Sequence, residues 1–418
     1  MKRIFTLAAA AVTVFAASAV NHTVERFSGA LCSEKLAVEM SAPAADFMSR
    51  ADEPAIDLPG SYVVGMYQVL TNQAQVVAEF FQRGAFDIQA DPEVENGYLV
   101  AHFLEEFWNN NAADPNPFNA LKATWDAEEQ SLTILPRQTL YVFTDTDGKK
   151  YDVNIFVFRR EGNNGVLDPD LGLKIVNDHG RFVLDSSLVG FLFGFEDPAA
   201  TAPDNLMVFN SQFGRMNIFR PNGSMTGDVH ESNATTHSTW PVYALWMNGR
   251  FYVYGFSLLD YITASSFEFD MHSMKMVFDS DAREGSPYTA HYLQVFPEQG
   301  ANIDEYVYAC EIDPKSFEPL GDSYYLAGNV TEATGAKVNV EFPAYAMFND
   351  QDARLLGFTN TTLTFEPDAI AGIESVEAAE SADAPVVYYN LQGMRVMNPS
   401  NGIFIRQQGR NASKVLVK

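Results

Sequence analysis

The run Thr139-Leu140-Tyr141-Val142-Phe143, the turn Asp145-Thr146-Asp147-Gly148 and the return Tyr151-Asp152-Val153-Asn154-Ile155-Phe156-Val157-Phe158 decide the fold class. Both runs are rich in β-branched and aromatic side chains, which suit a pleated, half-buried surface. Asp-Gly between them tolerates the positive φ of a tight hairpin turn. The same logic returns at Asp178-His179-Gly180, ahead of Arg181-Phe182-Val183-Leu184, and at Asn222-Gly223. It is cleanest at Asn248-Gly249, between Val242-Tyr243-Ala244-Leu245-Trp246 and Phe251-Tyr252-Val253-Tyr254. Residues 61–70 and 98–103 read as further strands, although Phe103-Leu104-Glu105-Glu106-Phe107-Trp108 fits a helical turn equally. With 32 Phe and 18 Tyr, the chain is expected to be mostly β and built of antiparallel hairpins.

At 418 residues it is long enough for two or three domains. Ala123-Thr124-Trp125-Asp126, followed by Ser131-Leu132-Thr133-Ile134-Leu135, is echoed by Phe267-Glu268-Phe269-Asp270 and Met274-Lys275-Met276-Val277-Phe278. Each copy is an aromatic-Asp pair, a short polar turn and an alternating strand. Two related β-domains would explain the echo, and generic hairpin statistics explain it nearly as well. The segment 198–203, with Ala199-Ala200-Thr201-Ala202-Pro203, is the natural joint. One β-domain is therefore expected over 58–197 and a second over 204–370, each a barrel or a sandwich. Residues 20–57 read as loosely structured.

The two ends carry a different message. Lys2-Arg3, an uncharged apolar run over 4–16 and Ala17-Ser18-Ala19 make the pattern of a secretory leader, cut after Ala19. The run is too short for a membrane span, which needs about 20 residues. No other stretch approaches that length, so no span is expected in the mature chain. Cys32 follows Leu31, where a small residue would precede a lipid-modified Cys. Near the C-terminus, Val386-Val387-Tyr388-Tyr389-Asn390 reads as a strand, Leu391-Gln392-Gly393 as a turn and Met394-Arg395-Val396 as a second strand. Ile403-Phe404-Ile405 and Lys414-Val415-Leu416-Val417-Lys418 complete a set of four. Tyr389-Asn390-Leu391-Gln392-Gly393-Met394-Arg395-Val396, Gly402-Ile403-Phe404-Ile405 and the basic-flanked valine strand resemble, in order and spacing, a known tail. It is the C-terminal sorting tail of Bacteroidetes secreted proteins, the type IX secretion (Por) kind. The resemblance covers 386–418 and implies export, with a detachable tail behind the small and acidic linker 371–385. It implies nothing about activity. Extracellular proteins of this kind often carry tandem lipocalin-like or β-sandwich modules, and the aromatic-Asp-turn-strand element is similar to theirs at fold level.

The balance of 27 Lys+Arg against 54 Asp+Glu gives a formal charge of −27. Nucleic acid would need clustered cations, and an anionic membrane surface would repel such a chain. There is no Gly-x-Ser-x-Gly elbow, no His-Glu-x-x-His pair and no phosphate-binding glycine loop. His230-Glu231 and His237 are residue types that suit Zn²⁺, but a site needs three or four converging ligands. Ser232, Asn233, Thr235 and Thr236 mark that stretch as an exposed polar loop. Asp145, Asp147 and Asp152 offer oxygens to Ca²⁺, yet the glutamate of an EF-hand is not at its spacing, and the hairpin already explains Asp-Gly. Glu105-Glu106 beside Trp108 resembles a sugar subsite; Trp108, Trp125, Trp240 and Trp246 read better as core residues. Cys32 and Cys310 can pair in an exported protein or stay apart. No catalytic residue, metal or cofactor is assigned.

The reading that follows is an exported surface or secreted binding protein. Its partner would be a glycan, a host protein or an apolar ligand, and its tail would engage the export machinery. A secreted hydrolase acting on polysaccharide or peptide is the second reading, and a structural envelope or fimbrial component the third. A binder needs a cavity or an exposed platform, and a hydrolase needs two carboxylates about 5–9.5 Å apart in a cleft. A structural subunit needs an open edge strand.

Overall fold

The computed structural model describes residues 24–26, 57–105, 118–278 and 291–366 and the strands between 386 and 417, apart from short interruptions inside those ranges. Every element among the described residues is a β-strand. No helix among them is long and apolar enough to cross a membrane. The chain divides into two compact units, Met1–Ile370 and Ala371–Lys418.

The first barrel is built from β1 (Val24–Arg26), β2 (Gly60–Asn72), β3 (Gln75–Ala90), β4 (Gly97–Ala101), β5 (Leu121–Asp126), β6 (Ser131–Ile134), β7 (Tyr141–Thr144), β8 (Lys150–Glu161), β9 (Asn164–Asp168), β10 (Leu173–Asp178), β11 (Arg181–Leu184), β12 (Leu188–Glu196) and β13 (Leu206–Phe219). Eight of these close an antiparallel ring in the order β2-β3-β4-β5-β6-β10-β11-β13, with β13 returning to β2. β7, β8 and β9 leave the ring after β6; β8 pairs with β12, which takes over the N-terminal half of β13.

The second barrel uses β14 (Gly223–His230), β15 (Thr235–Met247), β16 (Arg250–Tyr254), β17 (Ser265–Asp270), β18 (Lys275–Phe278), β19 (His291–Phe296), β20 (Ala301–Glu311), β21 (Ala327–Ala333), β22 (Val338–Phe342), β23 (Tyr345–Asn349) and β24 (Arg354–Phe365). Its ring is β14-β15-β16-β17-β18-β21-β22-β24, closing on β14. Here β19 and β20 leave after β18, β20 pairs with β23, and β23 takes over the N-terminal half of β24. Both expected domains are thus closed barrels.

The two rings repeat one another down to a bulge. On β13, Arg215 (φ 42°) and Met216 stand opposite Met66; on β24, Asn360 (φ 53°) and Thr361 stand opposite Gly227. The echoed elements Trp125-Asp126 and Phe269-Asp270 end β5 and β17, which hold the same place in the two rings.

Two expectations need correction. The joint between the barrels is at 220–222, not 198–203, because β13 is paired along both edges and closes the first ring. The Ala/Pro-rich segment lies between β12 and β13, where Asp197 N–H donates to Asn205 O at 2.6 Å. Asn222-Gly223 is accordingly no hairpin turn. The Asn222 amide bonds both the N–H and the C=O of Ala244 at 2.8 Å, as a strand residue would.

Alternation fills both interiors. Tyr62, Val64, Met66, Phe86, Phe191 and Phe213 belong to one buried cluster, and Phe256, Phe267, Tyr345 and Phe358 to another. The strand expected to reach residue 103 stops at Ala101. His102 (φ 57°) and Leu104 (φ 53°) turn the chain inward, and Phe103 and Leu104 are fully buried. Burying such side chains is worth about 1.5–3 kcal/mol each, which offsets a left-handed cost of roughly 1–2 kcal/mol per residue.

The barrels share a seam. Val63 and Phe219 of the first pack into the second barrel's cluster, with the Phe219 ring stacked 5.4 Å from Tyr243 and 6.1 Å from Tyr261. Gly65 lies so close that a Cβ would sit 2.5 Å from the Tyr261 carbonyl carbon. Asn217 Nδ2 donates to Tyr261 O at 2.9 Å, and the Arg181 guanidinium joins Asp178 to the Tyr254 hydroxyl.

The second unit is a four-stranded antiparallel sheet of β25 (Val386–Tyr389), β26 (Arg395–Val396), β27 (Gly402–Gln408) and β28 (Asn411–Val417), ordered β26-β25-β27-β28. Tyr389 pairs with Arg395 and Ile405, and Ile403 with Leu416. Asn390, Leu391, Gln392 and Gly393 lie outside the described residues, as do Ala17, Ala19, Cys32, Trp108 and the linker 371–385.

Candidate functional site

The second barrel carries an ordered polar face. Along β14, Met225, Gly227 and Val229 are buried, and Ser224, Thr226, Asp228 and His230 alternate with them on the outer side. β15 sets Thr239, His237 and Thr235 opposite the last three, and β24 sets Thr362 opposite Thr226 and Thr359 opposite Asp228. The bulge on β24 needs a residue without a side chain at 227, since a Cβ there would lie 2.8 Å from the buried Thr361 hydroxyl. It also delivers Asn360 to the outer face.

There the groups bond one another. Asp228 Oδ1 lies 2.7 Å from His237 Nδ1, and Asn360 Nδ2 donates to Asp228 Oδ2 at 2.7 Å. His230 is held at both ring nitrogens, 2.9 Å from Thr235 Oγ1 and 2.8 Å from Thr359 Oγ1. The Thr226 and Thr239 hydroxyls are 2.9 Å apart. Donation from Asn360, and then from His237, holds the Asp228 carboxyl below the usual carboxylate range. Partial burial pushes the His230 imidazole down, with Arg354 adding to the effect. Its ring lies 4.9 Å from Phe317, over which the Arg354 guanidinium sits at 4.8 Å.

The two histidines are therefore strand residues of the β14–β15 hairpin, where the sequence suggested a solvated loop. They do not converge on a metal, and no group of three or more His, Cys, Asp or Glu among the described residues could hold one. The carboxylate orients His237, and the remaining ring nitrogen, Nε2, carries no hydrogen bond among the described residues. No hydroxyl among the described residues bonds to it, so those residues assemble no nucleophile-His-Asp relay. What the face offers is a flat set of fixed donors and acceptors. Thr226, Thr239, Thr359 and Asn360 went unnoticed in the sequence, though the alternation along β14 was present to be read.

The other singled-out residues are engaged elsewhere. An open depression of about 450 Å³ on the first barrel is lined by Trp125, Asp126, Glu128, Glu129, Thr133 and Lys174. Asp126 Oδ1 caps its own turn, accepting from the N–H groups of Glu128 and Glu129, while Glu129 and Asp185 flank the Lys174 ammonium. Trp240 is buried in the core of the second barrel, whereas Trp125 is only half-buried, packing edge-on to Phe182 at 6.1 Å while it lines the depression. Glu105 pairs with His102 at 2.6 Å, and Glu106 lies outside the described residues. Asp145 Oδ1 accepts from the N–H groups of Asp147 and Lys149, capping the turn that the Asp-Gly hairpin requires. Cys310 is buried on β20 against Ile312, Ala346 and Phe348.

No protein-family model and no curated protein matches the chain. A solved structure of a protein with unknown function from the DUF3598 family of Nostoc punctiforme is similar at 8% identity, over 80% of this chain and 99% of that one, with a TM-score of 0.15. A likeness at that score carries no argument about fold or activity.

Proposed function

We propose that the chain is an exported surface or secreted recognition protein of a Bacteroidetes bacterium, with two β-barrels as its cargo and 386–418 as its sorting tail. The observation that carries the reading is that Ala371–Lys418 is a compact unit of its own, with strands at Arg395–Val396 and Gly402–Gln408 within the tail-like motif. A segment read by export machinery must be separable from its cargo, and this one has its own sheet. The filled barrel interiors favour recognition at outer surfaces over capture of an apolar ligand inside. The leader-like 1–19 agrees with the first step of such a route.

The test is expression in a Bacteroidetes host with and without a working type IX apparatus, as the full chain and with 386–418 deleted. The full chain should reach the surface or medium only with the apparatus, and the deleted chain should stay in the periplasm. Equal export of the two forms would sink the reading.

A further inference from the structure

We propose that the outer face of β14, β15 and β24 binds a neutral polysaccharide chain through Asp228, His237 and Asn360. This rests on the recognition reading above and names its ligand class.

The internal repeat provides the first argument. In the first barrel the equivalent face is the seam: Val63 pairs with Phe219 and Gly65 with Asn217, and the second barrel covers them. In the second barrel the corresponding pairs are Ser224 with Thr364 and Thr226 with Thr362. The positions that meet the second barrel in one copy, Val63 and Phe219 by packing and Asn217 by its hydrogen bond to Tyr261, carry hydroxyls in the other. Such a face gains little from burying area and much from hydrogen bonds.

Preorganisation is the second argument. Asp228 is fixed from both sides by His237 and Asn360, each at 2.7 Å, so a ligand need not pay to order these side chains. Capacity remains after those bonds. Each Asp228 oxygen has a further lone pair, and among the described residues His237 Nε2 and Asn360 Oδ1 carry no hydrogen bond. A sugar hydroxyl both donates and accepts, so neighbouring hydroxyls can donate to carboxylate and amide oxygens and accept from the imidazole. Outward positions on neighbouring strands are about 4.8 Å apart and those along a strand about 6.8 Å apart, so the Thr226 and Thr239 hydroxyls continue the polar row beside Asp228 and His237.

Charge selects among sugars. The face holds an ionised carboxylate at its centre, and the protein is strongly acidic at −27. Anionic sugars would be repelled. The depression on the first barrel is less suited to a neutral chain, because Glu129 pairs with the Lys174 ammonium there and Asp126 Oδ1 caps its own turn.

The test is affinity electrophoresis of the full chain through gels containing dextran, mannan or laminarin, with dextran sulfate as the anionic probe. Retardation by at least one neutral polysaccharide and none by dextran sulfate is expected. Asp228→Asn, His237→Ala and Asn360→Ala should each weaken it by about tenfold or more, the scale of one hydrogen bond to a charged group. Thr124→Ala on the first barrel should leave it unchanged. Unchanged thermal unfolding of Asp228→Asn, which keeps the side-chain shape, separates lost binding from lost folding. No retardation by any neutral polysaccharide, full retardation of the three variants, or stronger retardation by dextran sulfate would each overturn the site. Export of the binding-deficient variants would be normal, so a failure here with export intact removes this site alone. A failure of the tail deletion with retardation intact removes only the export reading.

Discussion

A left-handed backbone is tolerated where the side chain gains something in return, and Asn360 shows the exchange. At φ 53° it sits in the region that Asn enters more readily than most residues, and from there it reaches Asp228 at 2.7 Å. Asn360→Val should destabilise the chain by about 1–3 kcal/mol, because a β-branched residue is strained there. Asn360→Gly should be nearly neutral in stability yet raise the Asp228 pKa; equal denaturation midpoints for the two variants would contradict this account. Asp228 is a depressed carboxylate, so its contribution is present above the unfolded value and fades as pH falls through the folded one. Tyr243 has the opposite sign. Burial pushes its phenol up to about 12, so its contribution is intact below pH 10 and is lost as pH rises toward 12. Tyr243→Phe should remove about 2 kcal/mol of the alkaline loss of stability, read by denaturant titration at pH 8 and 11.5. A fall of the same size in both proteins would count against it. Neither residue's role was legible in the sequence, because Asp228 and Asn360 lie 132 positions apart and only a closed ring makes them neighbours.

The elements were far more legible than their partners. Alternation and the Asp-Gly turn are enough to locate β7 and β8, and the echo of Trp125-Asp126 in Phe269-Asp270, which generic hairpins would explain nearly as well, falls on strands that hold the same place in the two rings. What failed were inferences from composition about connections. Ala199-Ala200-Thr201-Ala202-Pro203 has the look of a linker, yet the strand after it closes the first ring, and closure is a long-range property that no local window contains. The β14–β15 hairpin was missed for the reverse reason: its outer face is so polar that it reads as a loop, and Gly227 weakens its inner row. At this scale Gly65 is the sharpest test. It lets β2 approach Tyr261, and Gly65→Ala would place a methyl 2.5 Å from the Tyr261 carbonyl carbon. A loss of about 2–4 kcal/mol in a guanidinium melt is expected, the cost of backbone displacement in a packed seam. A change under 0.5 kcal/mol would mean that the seam is not close-packed.

For the whole molecule, the seam and the division into two units lead to different unfolding behaviours. Phe219 closes the first ring through β11 and β2 while its ring stacks on Tyr243 and Tyr261 of the second barrel, so neither core is complete without the other. β19 strengthens the tie by pairing Gln294 and Val295 with Phe80 and Glu79 of β3. The two barrels should therefore melt in one transition, and Gly65→Ala should lower that single midpoint without splitting it. Ala371–Lys418 forms its own sheet, and each unit is compact by itself. Deleting 371–418 should leave the barrel transition within about 2 °C of the full chain, since a contribution on the order of 1 kcal/mol would already move it by that much. Calorimetry of the full chain, the Gly65→Ala variant and the shortened chain decides all three points. Two resolved barrel transitions would refute the shared core, and a large shift on shortening would show that 371–418 contributes to barrel stability and is no independent unit.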